Sequence, residues 1–229
     1  MAAAAGRETG AVTLGALETI AVTRLPSWMD AFRQAYPQIG VKLEVMGTGE
    51  LLHAVGSGAL DAAFCFDRGG SDPRLARREV LREPLVLIAA PGAAATRGDL
   101  AGTLASASFV VTGKGCVYRH LFDAAFARAG IAAPVPVAEV DSIRAIARLV
   151  MAGFAMGLVP RLAVAAERAR GELVAMPWLD PDASASLLML WRRQRVLAPA
   201  LRRLLDHAGA TFGLTPADGL PPHATPCPS

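Results

Sequence analysis

Lysine is nearly absent from this 229-residue chain: Lys42 and Lys114 are the whole supply, and every other basic residue is an arginine. The formal net charge is only +3, so the basic pI of 9.0 reads as a solvated arginine-bearing surface, not a nucleic-acid footprint. Cysteine is scarce as well. Cys65, Cys116 and Cys227 show neither metal-ligand spacing nor an even-numbered framework, which excludes a disulfide scaffold and points to a reducing compartment. No apolar run approaches the ~20 residues a membrane span needs. The opening MAAAAGRETG lacks the charged start and apolar core of a secretory signal, so residues 1–10 read as a flexible leader and the cytoplasm as the expected location. His53, His120, His207 and His223 are scattered, and neither a Gly-x-Ser-x-Gly elbow nor a phosphate-binding loop occurs. No catalytic residue, metal site or cofactor is therefore expected.

What is present is apolar bulk. Hydrophobic residues make up 53% of the chain and charged ones 19%, enough for one large domain or two lobes. Val12–Leu17 reads as a buried strand, followed by a helical stripe of Leu25, Trp28, Met29, Phe32 and Tyr36. Pro26 either kinks that helix or sits in its first turn, and Pro37 stops it. Val41–Val45 is a second strand, Glu50–Val55 a short helix and Leu60–Phe66 a third strand. A short helix between two buried strands lets them run parallel. Leu75–Leu81, with its charged alternation, reads as an edge strand whose Arg77 and Arg78, like the flanking Arg74 and Arg82, face water. Leu85–Ala89 is a separate apolar strand ending at Pro91–Gly92, the expected lobe boundary.

A second β-α-β series follows. SFVVTGKGCVYRHLFDAAFARAG is strand, Gly-rich turn and helix, with Gly130 suited to the helix end. Its Arg119 is expected on the solvated face. VPVAEVDSIRAIARLVMAGFAMGLVP repeats the scheme, with Asp141 or Ser142 as N-cap, and Gly153 ending the helix before a strand at Met156–Val159. ELVAMPW is a further strand, SLLMLWRR is long enough to return to the first lobe, and a helix runs from Pro199 to about Phe212. Residues 11–90 plus 190–213 form the expected first lobe and 91–189 the second, with 214–229 a disordered tail. WRRQR, Trp191–Arg195, reads as a surface turn and not as a phosphate-contacting patch. Open α/β sheets bind ligands at the carboxyl ends of their strands, so two such lobes predict a cleft between them.

Three stretches, GAVTLGALETIAVTRLPSWMDAFRQAYPQIGVKLEV, GTGELLHAVGSGALDAAF and VDSIRAIARLVMAGFAMGLVPR, resemble the effector-binding domain of LysR-type transcriptional regulators. The resemblance spans about Gly10–Gly213, and GKGCVYRHLFDAAF is similar to a subgroup with a Gly-Cys-x-Tyr-Arg signature. It implies an α/β fold of two Rossmann-like lobes joined by two crossing strands, the type 2 periplasmic-binding-protein fold. It also implies a small-molecule effector, homodimers or homotetramers pairing the helix near Trp28–Tyr36 with that near Tyr118–Arg128, and DNA contact only through an N-terminal winged helix-turn-helix. That head is missing here, so the chain is expected to be a truncated part of a regulator or a headless homologue.

The residues themselves point to a ligand site. Helix starts at Glu18–Thr19, Thr48–Gly49, Gly113–Cys116 and Asp141–Ser142 present unpaired amides and partial positive charge towards the cleft. The expected effector contacts are Glu18, Thr19, Thr48, Gly49, Phe66, Lys114, Gly115, Cys116 and Ser142. Lys114, between two glycines at a helix start, suits a carboxylate, and Glu18 suits an amino group or its own helix end. Together they hint at a zwitterion. Cys65 and Cys116 are expected near the cleft, as packing or, for Cys116, as a redox-reactive thiol. Two other readings stay open: a solute-binding protein of a transport system with the same fold, and a small enzyme using Glu18 or Asp141.

Overall fold

The computed structural model describes residues 10–67, 72–93, 99–193 and 196–211. Most of the expected leader and all of the expected tail, Cys227 included, lie outside the described residues, as do Gln194 and Arg195 of the WRRQR run. Gly10, counted with the leader, opens the first strand.

The first half builds β1 (Gly10–Ala16), α1 (Glu18–Thr23), α2 (Leu25–Ala35), β2 (Ile39–Val45), α3 (Thr48–Ser57) and β3 (Ala62–Phe66). Strand β1 pairs parallel with both β2 and β3. The expected stripe is real: Leu25, Trp28 and Phe32 are buried on α2, and Pro26 sits in its first turn, where no backbone donor is needed. The helix does not continue back into α1; the chain turns at Arg24. All five residues of β3 are buried, alternating between two apolar clusters on opposite faces of the sheet. Phe64 and Phe66 join the main core. Cys65 points the other way, beneath α3 with Leu51, Val55 and Leu188. Its expected place at the cleft is thus corrected: the two-residue period of the strand sends it to the far face. Helix α3 sits close because Gly15 lacks a side chain; a Cβ there would come within 2.5 Å of Leu51 and Leu60.

The second half runs β4 (Leu75–Ala89), α4 (Leu100–Ala105), β5 (Val110–Val111), α5 (Val117–Arg128), β6 (Ala138–Glu139), α6 (Ile143–Met151) and β7 (Gly157–Pro160). A 3-10 turn (Arg161–Val164), α7 (Ala165–Ala169), β8 (Val174–Met176), β9 (Ser184–Arg192) and α8 (Pro199–Thr211) complete it. Strand β5 pairs parallel with β6, and Phe109 bridges parallel to Met156 beside β7. Gly130 and Gly153 follow α5 and α6 in the left-handed conformation, at φ 70° and 76°, which ends both helices as expected.

The two expected strands around Glu83 are one strand of 15 residues. From Leu75 to Pro84 it pairs only with β9, as an edge, among the described residues. From Leu85 onward it pairs with β7 and β8. Strand β9 in turn pairs with β3 through Leu187–Trp191. Thus β4 and β9 run antiparallel to each other and tie the two parallel series together, with a register shift between Glu79 and Leu81. Arg78 departs from the expected solvated face: its guanidinium lies 5.8 Å over the Trp191 ring and donates to the Leu205 carbonyl at 3.2 Å. Long arginine stems cover apolar surface readily.

Candidate functional site

The carboxyl ends of β1, β2 and β3 lead to Glu18, Thr48 and Phe66; those of β5, β6 and β7 lead to Thr112, Asp141 and Arg161. These ends are where the fold leaves helix amides and side chains unengaged by the sheet. Between the two series lies a cavity of about 280 Å³ lined from both sides, by Glu18, Thr19 and Thr23 of α1 and by Arg144, Leu162 and Glu167. A larger cavity of about 550 Å³, lined by Pro91, Phe154, Met156 and Met176, lies at the opposite, amino ends of β5 and β7. Size favours the second; strand polarity favours the first, and the first alone spans both series.

Two of the expected helix starts are tied together. The Gly113 amide donates to Asp141 Oδ1 at 3.0 Å, and the Cys116 amide donates to the Gly113 carbonyl at 2.9 Å. A Cβ on Gly113 would meet that Asp141 oxygen at 2.9 Å, so the bond needs glycine. Asp141 being so engaged, Ser142 caps α6, its hydroxyl accepting from the Ala145 amide at 3.4 Å. Lys114 and Gly115 are exposed in the turn, and Cys116 is half-buried at the start of α5. On the first lobe, Thr48 is half-buried and Gly49 exposed, while Glu50 turns back to accept from the Gly47 amide at 3.0 Å. Glu18 and Thr19 enter the cavity directly; the cation lining it is Arg144, not Lys114.

Phe66 and Cys116 converge on a residue the sequence reading passed over. The Tyr118 ring lies 5.4 Å from Phe66, joining the end of β3 to the start of α5. Its phenol oxygen is buried with no hydrogen-bond partner, as is the hydroxyl of Thr112. Burial pushes the Tyr118 phenol well above its ordinary range. Buried hydroxyls without partners cost about 1–3 kcal/mol each.

Glu83 is the second missed residue. It is 3% exposed on the crossing strand, and its two oxygens reach opposite ways. One accepts from Arg24 Nη2 at 3.2 Å, between α1 and α2; the other accepts from the Leu162 amide at 2.9 Å, in the 3-10 turn after β7. Arg119 is the third, and corrects an expectation. It is 8% exposed instead of solvated, paired with Asp123 at 3.0 Å and Glu139 at 2.8 Å. Its signal was the position itself: a residue one turn into α5, beside β6, has an acid within reach on each.

Among the described residues no cluster of three or more His, Cys, Asp or Glu is placed to hold a metal ion. None of the described helices is long and apolar enough to cross a membrane.

The family model described as the LysR substrate binding domain matches residues 5–213. The chain belongs to this LysR family. The match decides between the sequence readings: the family is that of the regulators and not of transport-associated solute-binding proteins. Among curated relatives, the HTH-type transcriptional regulator YfiE of Escherichia coli K12 is 27% identical over 195 residues, covering 85% of this chain and 66% of the relative. The chain spans about two thirds of the length of the curated relatives it matches. Among solved structures, the regulatory domain of Synechocystis PCC6803 CcmR in complex with 2-PG superposes with a TM-score of 0.78 at 22% identity, covering 91% of this chain and 100% of that one. The effector-binding domain of QuiR in complex with shikimate gives 0.76 at 19%, covering 87% and 95%. The LysR regulatory fold, the type 2 periplasmic-binding-protein fold expected from the sequence, is therefore that of this chain.

Proposed function

We propose that the chain is the effector-binding part of a cytoplasmic LysR-type transcriptional regulator. It takes a small polar, carboxylate-bearing metabolite between its lobes and passes that event to a DNA-binding head outside the chain. The observation that carries the reading is the convergence of strand ends from both parallel series around one cleft, in a chain whose family match runs almost end to end.

The amino ends of α3, α5 and α6, helices of 10, 12 and 9 residues, supply amides and partial positive charge for a carboxylate. Thr48, Gly49, Lys114, Gly115, Cys116 and Ser142 sit at those ends, with Phe66 and Tyr118 beneath. Glu18 and Thr19 complete the first-lobe side. A ligand that touches both lobes binds one interlobe angle better than another, and only that difference in affinity can shift the regulator between states. No catalytic step, metal or cofactor is assigned to the chain. The ligands carried by the CcmR and QuiR domains support a small metabolite in this cleft.

A thermal-shift screen of amino acids, dicarboxylates, aromatic acids and polyamines tests the reading. A carboxylate-bearing member is expected to raise the midpoint, a ligand at one hundred times its Kd adding about 2.7 kcal/mol of stability. A response to polyamines alone, or to nothing in the set, would contradict it.

A further inference from the structure

The 280 Å³ cavity between α1 and the α6–α7 side carries charges of both signs, and their arrangement selects for more than a carboxylate. Glu18 lines it from α1 and Glu167 from α7, so that two acidic residues border one space from the two parallel series. Arg144 is the lone cation in the lining. Neither Glu18 nor Arg144 has an ion-pair partner among the described residues. Glu167 is only loosely compensated. Arg170 approaches it at 3.7 Å but is committed to Glu172, through two bonds of 2.9 Å. The lining therefore holds one negative charge more than it holds positive.

Two like charges bordering one space repel, and the repulsion is stronger where water is excluded. A cation placed between them reverses the sign of that interaction, because each carboxylate then pairs with it instead of opposing the other. Arg144, at the start of α6, is placed to take an anionic group of the same solute through paired N–H donors. The hydroxyls of Thr19 and Thr23 add neutral hydrogen-bonding groups from α1. The volume, just under the usual range for small-molecule pockets, admits a metabolite of amino-acid size and no large ring system.

We propose that this cavity receives an amino-acid-like zwitterion. Its ammonium group lies between Glu18 of one lobe and Glu167 of the other, and its carboxylate lies on Arg144. The inference rests on the effector reading above and narrows it. It makes the ammonium group the element that draws the lobes together, and replaces Lys114 by Arg144 as the partner of Glu18 in recognising a zwitterion.

The test is calorimetric titration of the purified chain with the standard amino acids, each beside its des-amino acid and its decarboxylated amine. At least one amino acid is expected to bind, with both counterparts weaker by about tenfold or more, as for the loss of one charge-assisted contact. Glu18→Gln and Glu167→Gln should each weaken that amino acid about tenfold while leaving binding of the corresponding des-amino acid nearly unchanged, and Arg144→Met should weaken both. Glu18 is exposed, so its variant keeps the fold, and Glu167 supplies an independent substitution on the other lobe. The proposal is overturned if the des-amino acid binds as well as the amino acid, or if both glutamine variants keep wild-type affinity. It is equally overturned if plain carboxylates bind and amino acids do not; in that case the effector reading survives. Failure of every carboxylate-bearing compound removes both.

Discussion

Glu83 joins two parts of the chain through one side chain. It is a buried carboxylate whose two oxygens serve the α1–α2 junction and the turn after β7, so each substitution separates a different pair of effects. Glu83→Gln keeps an acceptor for the Leu162 amide and loses the charge facing Arg24; it is expected to cost about 1–2 kcal/mol. Glu83→Ala leaves the buried amide and the guanidinium both unsatisfied and should cost about 3–5 kcal/mol, read as the difference in chemical denaturation midpoints. Equal losses in the two variants would show that the second bond contributes nothing. His207 makes a second prediction. It stands amid Trp28, Phe32 and Tyr36, with ring centroids 5.4–6.1 Å away, and burial lowers its pKa. Because the unfolded imidazole takes up its proton near pH 6.5 while the folded one resists until lower pH, stability present above 6.5 should decline as pH falls below it. Urea midpoints of wild type and His207→Phe at pH 7.5 and 5.5 check this: the wild type should lose more on acidification.

At the scale of elements, the parallel units were legible because their signals are local. An apolar run, a Gly-containing turn and a stripe at helical spacing mark β1–α2, β2–α3–β3 and β6–α6, and the structure has them within a few residues. What was not legible depends on distant partners. Glu83 looks like one more charge in an alternating strand until Arg24, 59 residues earlier, is brought against it. Arg119 depends likewise on Glu139, 20 residues on. Helix α7 buries none of its five residues and so has no stripe to detect. The two strands expected around Glu83 merged because Pro84 falls where β9 begins, so its missing N–H interrupts little of the ladder. Gly15 tests an element contact: Gly15→Ala forces the Leu51 and Leu60 side chains aside and should destabilise by about 1–3 kcal/mol, seen as a lower thermal midpoint. An unchanged midpoint would mean that the two leucine side chains yield freely.

For the whole molecule, the cleft follows from strand polarity, since carboxyl ends of two parallel series face the gap between them. Its chemistry followed less well. Glu18 and Thr19 do line the interlobe cavity, but neither Arg144 nor Tyr118 is among the expected effector contacts. Both gain their meaning from the opposing lobe, which no local pattern encodes. Pairing of subunits, proposed here with α2 of one copy against α5 of the next, predicts a dimer mass in light scattering at micromolar concentration, and a monomer after charge is placed on the exposed face of α2. The central claim is that one small solute contacts both lobes at once. Hydrogen exchange with a saturating ligand from the screen tests this most directly: protection is predicted together at 18–23, 113–116 and 142–144. Protection confined to one lobe, or appearing instead around 89–93 and 153–156, would contradict it.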